Sequence, residues 1–226
     1  MAEFTVQETE GVRNIKLDIR DETVRAARGA LSHMHGRIQF TPRLPNAADL
    51  LRTVMTEEVC IRPYFSGTGT IYLQSSLKGY HVLEVAEGDL WVLEPGVYWA
   101  SEGSVDLGIY REPFWHALWA GDGFFAWKTT LEGRGRVAIN TPGPVELLTL
   151  DGGELSVQGR LVLGRTAGVR FRSRRVAPFP RNLISGQQRM RVFEGTGKLL
   201  VCWTPYWNEH LITTLGGEPY RDSLLE

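Results

Sequence analysis

Apolar and polar residues alternate along most of the chain, in short stretches closed by glycine, Asp-Gly or Pro-Gly. In 89–93, Leu90 and Val92 fall on one face of a strand; in 154–157, Leu155 and Val157 do so; in 135–139, Val137 and Ile139. Period-2 stretches this short, divided by turn residues, predict an all-β sandwich or barrel. Helical spacing occurs in one segment, 46–55. There Asn46 can cap and Leu50, Leu51, Val54 and Met55 form a stripe, which predicts one short helix.

The strands repeat. An apolar-x-Gly-x-Gly motif occurs as Phe65-Ser66-Gly67-Thr68-Gly69, Leu131-Glu132-Gly133-Arg134-Gly135 and Phe193-Glu194-Gly195-Thr196-Gly197, spaced 66 and 62 residues apart. Each copy precedes a β-like run: Ile71-Tyr72-Leu73, Val137-Ala138-Ile139 and Leu199-Leu200-Val201. A second motif keeps the period, with Gly88 of Glu87-Gly88-Asp89 echoed 65 residues later by Gly153, and a weaker copy around Asp21. Three β units of about 65 residues are too few and too long for propeller blades or solenoid coils, so one domain with internal pseudo-symmetry is expected. The glycines are expected at tight reversals that need positive φ. A phosphate-binding loop needs a third glycine and a following helix, and β-branched and aromatic residues follow instead.

Composition narrows the function classes. The formal net charge is -1 over 226 residues, so no global field draws the protein to nucleic acid or an acidic membrane. Cys60 and Cys202 are too few for a disulfide framework or a zinc cluster, and their apolar neighbours predict buried free thiols. The acidic N-terminus has no basic and apolar leader pattern, and no apolar run reaches ~20 residues, so a cytoplasmic protein without a transmembrane segment is expected.

Several segments together resemble a known family. Gly29-Ala30-Leu31-Ser32-His33-Met34-His35-Gly36-Arg37-Ile38 is similar to the first signature, Gly-Ala-Met-x-x-Met-x-Gly-x-Val, of the altered-inheritance-of-mitochondria protein 24 family. That family is also called tryptophan RNA-binding attenuator protein-like, or TRAP-like. Ala120-Gly121-Asp122-Gly123-Phe124-Phe125 followed by Gly133-Arg134-Gly135 resembles its Gly-Glu-Gly-Phe-Phe…Gly-x-Gly signature, and Ser185-Gly186-Gln187-Gln188 with Gly195-Thr196-Gly197 is a degraded copy. The resemblance spans roughly 3–208. It implies an antiparallel β-sandwich or double-stranded β-helix, commonly trimeric, with no catalytic residues to carry over; eukaryotic members are tied to mitochondrial inner-membrane organisation. The expected layout is a single TRAP-like domain over 1–226, with repeats at about 3–70, 71–135 and 136–208 and a C-terminal tail at 209–226. The chain departs from the pattern at 113–119, where Pro113-Phe114-Trp115-His116-Ala117-Leu118-Trp119 replaces a glycine-rich linker.

Candidate chemistry is sparse. Gly67, Gly69, Gly121, Gly123, Gly133, Gly135, Gly195 and Gly197 are expected to be structural. His33 and His35 would point the same way on a strand, as a metal-binding pair does, but the carboxylate that a cupin supplies next is absent from Gly36-Arg37-Ile38-Gln39-Phe40. No serine nucleophile elbow occurs, and Glu84, Glu87 and Asp89 form only a local acidic spot. Arg170, Arg172 and Arg174 alternate along one predicted strand, as an anion or RNA stripe or as a solvated face that discourages edge pairing. Trp91, Trp99 and Trp127 lie in strand-like runs and are expected in the core or on a sheet face. Phe114, Trp115, Leu118 and Trp119 crowd a segment that must be covered by another subunit, by the domain itself or by lipid. The reading is a non-enzymatic, cofactor-free β-scaffold that forms a homo-oligomer and acts through protein contacts, with membrane-surface contact allowed. A ligand- or RNA-binding module using the arginines and a cupin-like metalloenzyme using the histidines are the alternatives.

Overall fold

Ile15, Leu17 and Ile19 alternate with Lys16 and Asp18, so an extended chain here has one dry and one wet face; all three apolar side chains are fully buried. They belong to β2 of a computed structural model that describes residues 2–42, 62–75, 79–111, 127–175 and 189–203. In chain order the described strands are β1 (Glu3–Thr9), β2 (Val12–Ala26), β3 (Leu31–Thr41), β4 (Tyr64–Leu73), β5 (Gly79–Val85), β6 (Trp91–Leu93) and β7 (Tyr98–Glu102). There follow β8 (Val105–Arg111), β9 (Trp127–Gly133), β10 (Gly135–Thr141), β11 (Val145–Val157), β12 (Val162–Thr166), β13 (Val169–Arg175) and β14 (Arg189–Cys202). The predicted helix at 46–55, Cys60, and the expected tail at 209–226 lie outside the described residues.

All described pairings are antiparallel and form two sheets of seven strands. One runs β3-β4-β2-β7-β10-β5 with β1 beside β2; the other runs β11-β14-β12-β6-β9-β8 with β13 beside β14. The middle of the chain ties them together. β5 and β10 pair in the first sheet, with Val85 opposite Gly135, while β6 and β9 pair in the second, with Trp91 opposite Leu131. The chain therefore passes between the sheets five times, at 86–90, 94–97, 103–104, Arg134 and 142–144.

The sequence repeat has a physical form. In the first and third units a long strand carries an extra residue where it faces the Gly-x-Gly strand. The register of β2 against β4 shifts between Arg20 and Glu22, and that of β11 against β14 between Leu150 and Gly153. The extra residues have positive φ, 55° at Asp21 and 69° at Gly152. Each bulge donates a backbone N–H to the threonine between the two glycines: Asp21 to Thr68 Oγ1 at 3.0 Å, Gly152 to Thr196 Oγ1 at 3.1 Å. In the middle unit the strands change sheet at this point, and Arg134 stands where the others have threonine.

This corrects the expectation that the glycines mark tight reversals. Gly67, Gly69, Gly195 and Gly197 lie inside β4 and β14, and Gly133 and Gly135 flank a crossing between sheets. Their shared role is close backbone approach. A Cβ on the first glycine of each motif would lie 2.2 Å from the Arg37 carbonyl oxygen at Gly67, 2.7 Å from that of Ser104 at Gly133 and 2.4 Å from that of Gly168 at Gly195. Gly135 lacks positive φ, and its restriction is steric, with Glu102 Oε2 at 2.6 Å from the Cβ position.

The core is divided as the repeat is. One cluster gathers Ile15, Leu17, Ile19, Phe65, Ile71 and Ala138 of the first sheet. A second draws Leu83, Val137 and Ile139 from the first sheet and Trp91, Leu131 and Leu200 from the second. A third holds Val157, Val169, Phe171, Phe193 and Leu199. The β10 strand is buried on both faces, Ala138 toward the first cluster and Val137 and Ile139 toward the second. Trp91 is buried and Trp99 packs against the first cluster. Cys202 is a buried free thiol. Leu90 is exposed ahead of β6 and does not share its packing with Val92.

Candidate interaction surface

Strand β3 is an open edge of the first sheet and is exposed along most of its length. It pairs with β4 along one side, and among the described strands nothing pairs with its other side. It alternates without interruption from His33 to Thr41, so its two faces differ. Met34, Ile38 and Phe40 extend the dry face of the first core: Met34 sits opposite buried Ile71, and Phe40 opposite buried Phe65 with ring centroids 5.2 Å apart. Yet Met34 remains 41% and Phe40 46% exposed. His33, His35 and Arg37 line the other, solvated face. An open, half-apolar edge strand of this length is the part of a β protein that recruits another strand unless it is blunted.

The solvated face is braced by an ion pair. Lys16 Nζ lies 2.7 Å from Asp18 Oδ2, and the Thr70 hydroxyl donates to Asp18 Oδ1 at 2.6 Å. The hydrogen bond from Lys16, then that from Thr70, holds the Asp18 carboxyl below its ordinary pKa; the same Asp18 contact raises that of Lys16. His33 stacks on Tyr72 at 4.4 Å. His35 faces Thr70 across the strands, and among the described residues no three His, Cys, Asp or Glu side chains are grouped to hold a metal ion.

The arginines predicted as a stripe do share the exposed face of β13, but carboxylates meet two of them. Arg172 lies 2.7 Å from Glu194 Oε1, and Arg174 grips both oxygens of Glu154 at 2.7 and 3.2 Å. Hydrogen bonds from Ser156 and then Arg174 lower the Glu154 pKa. Pairing of this kind fits a solvated face better than an anion track.

Buried charge was not anticipated from the sequence. Lys128 is 2% exposed, bonds Glu94 Oε1 at 2.6 Å and has its ammonium 5.3 Å from the Phe171 ring centroid. Arg191 lies over the same ring and Arg165 over Tyr110, and both are buried. Nothing in Trp127-Lys128-Thr129-Thr130 distinguishes an inward lysine from an outward one. Met34, Ile38 and Phe40 do alternate with His33, His35 and Arg37 in the sequence, but sequence reasoning took only the two histidines from this segment and missed the edge. The other sequence candidates, Phe114, Trp115, Leu118 and Trp119 together with Gly121 and Gly123, lie outside the described residues.

Comparison with known proteins gives three findings. A family model described as Mitochondrial biogenesis AIM24 matches residues 4–202. An uncharacterized protein of Streptococcus pyogenes serotype M6 is 26% identical over 136 residues, which is 60% of this chain and 54% of that protein, so the chain spans about half the length of this curated relative. A crystal structure of a Streptococcus pyogenes protein superposes with a TM-score of 0.69 at 17% identity, covering 95% of this chain and all of the other, and shares the fold.

Proposed function

The chain belongs to the AIM24 family, and from that premise we propose that it is a non-enzymatic β-scaffold whose working surface is the open edge of β3. The observation that carries this reading is the exposure of Met34 and Phe40 on a strand whose outer backbone edge has no partner among the described strands. An edge strand offers main-chain hydrogen bonds for affinity and alternate side chains for specificity, and neither requires chemistry on a substrate. The scaffold assembles as a homo-oligomer, with a trimer the size implied by the family resemblance. The aromatic segment at 114–119 supplies further contact area, toward a neighbouring subunit or a membrane surface. Residence in the cytoplasm and the absence of a cofactor are part of the same proposal.

Light scattering on the purified protein tests it. The wild type should run as an oligomer, and Met34→Ser with Phe40→Ser should shift it toward monomer while leaving the circular-dichroism spectrum unchanged. A monomeric wild type at tens of micromolar would overturn the proposal, as would a stoichiometric metal ion lost on His33→Ala with His35→Ala.

A further inference from the structure

We infer that the partner of the β3 edge is β11 of a second copy of the same chain, joined head to tail. The inference rests on the scaffold reading above and names the surface that completes it. Strand β11 ends the second sheet as β3 ends the first: it pairs only with β14 among the described strands, and it is the longer of the two edges, Val145–Val157 against Leu31–Thr41.

The two edges complement each other in both polarity and charge. Leu148, Leu150 and Leu155 on β11 pack against the third core and are only half-buried, while Leu147 on the other row is 49% exposed. The charged residues of β11 are all acidic, Glu146, Asp151 and Glu154, whereas the titratable residues of β3 are His33, His35 and Arg37. Over Leu148–Asp151, on one side of the β11 bulge, one antiparallel register satisfies both patterns. Arg37 opposite Asp151 brings Ile38 opposite Leu150, Gln39 opposite Thr149 and Phe40 opposite Leu148. The apolar residues Ile38 and Phe40 then join Leu150 and Leu148 in one dry layer on the core side, and Arg37 meets Asp151 on the wet side. Pairing β3 with a second β3 instead sets histidines and arginine against their own kind, and pairing β11 with β11 opposes carboxylates.

A contact between two different edges is heterologous. Each copy offers one acceptor strand and one donor strand, so the assembly either closes into a ring or grows. The ring removes every open edge it uses.

Charge reversal with rescue tests the contact. Asp151 and Arg37 are both exposed, so their replacement leaves the fold intact, which thermal unfolding checks. Arg37→Asp and Asp151→Arg should each weaken association by about tenfold, measured by analytical ultracentrifugation. A chain carrying both substitutions should regain an affinity within about threefold of wild type, because the swapped charges meet again across the interface. Single variants that associate like wild type would overturn the inference, and so would weakened singles without rescue, the result expected of a β3–β3 contact or another partner. A wild type that does not associate would overturn the scaffold reading itself, before the choice of strand is reached.

Discussion

Replacing Gly67 with alanine isolates what the repeated glycines do. At Gly67 φ is +130°, and a Cβ would sit 2.2 Å from the Arg37 carbonyl oxygen and 3.3 Å from its carbonyl carbon, both backbone atoms of β3. Two costs add. Holding alanine in a glycine-only region of backbone space costs ~1–2 kcal/mol. Pushing β3 off β4 by enough to relieve the overlap costs a further ~1–3 kcal/mol, as overpacking does. Gly88 provides the control, since its φ is +88° but nothing lies within 4 Å of the Cβ position. Alanine there bears only the backbone cost, and the entropy that alanine removes from the unfolded chain is common to both variants. Urea unfolding followed by tryptophan fluorescence should place Gly67→Ala below Gly88→Ala by ~1–3 kcal/mol, or roughly 2–10 °C in Tm for a domain of this size. Gly195→Ala, with a Cβ position 2.4 Å from the Gly168 carbonyl oxygen, should behave as Gly67→Ala does. Equal losses at Gly67 and Gly88 would refute the close-approach account of the motif.

Other substitutions probe separate parts of the fold. Thr68→Val and Thr196→Val each remove the hydroxyl that accepts a bulge N–H and should cost about 0.5–1 kcal/mol in denaturant unfolding, with no loss expected at the middle repeat's Arg134→Gln. Glu94→Gln leaves the Lys128 ammonium buried beside a neutral amide and should cost ~3 kcal/mol; Glu94→Gln with Lys128→Met should recover part of it in a double-mutant cycle. Burial lowers the His81 pKa, so the unfolded chain takes up its proton first and stability falls as pH drops below the ordinary histidine value of 6.5. The wild-type advantage over His81→Gln in urea midpoint should therefore shrink between pH 7.5 and pH 5.5, and a constant difference would contradict that sign.

The repeat could be read from the sequence because glycine tolerates what no other residue can, so three places of backbone crowding left the same motif at nearly even spacing. Its meaning could not. Phe65-Ser66-Gly67-Thr68-Gly69 looks the same whether the chain reverses there or lies against a neighbouring carbonyl, since both select glycine. The bulges left weaker traces because a bulge needs one residue of positive φ, and Asp21 meets that need as Gly152 does. Strand faces were legible where one side is wet, as at Leu155 and Val157, and illegible at Leu90-Trp91-Val92-Leu93, where burial on both faces of β6 erases the alternation. The β3 surface stood in the text as alternating Met34, Ile38 and Phe40, but only the pairing order places that strand at an edge. The buried cations Lys128, Arg165 and Arg191 carry no local signal, because their burial is imposed by strands far away in the chain.

Amide hydrogen exchange measured across a range of protein concentrations tests the scaffold claim at the strand that carries it. If β3 is the working edge, protection over Leu31–Thr41 rises as the protein is concentrated, together with protection over Val145–Val157, while the buried amides of β10 keep the same rates. Exchange over Leu31–Thr41 that is fast and independent of concentration, in a protein that light scattering shows to be associated, would place the working surface elsewhere and contradict the account.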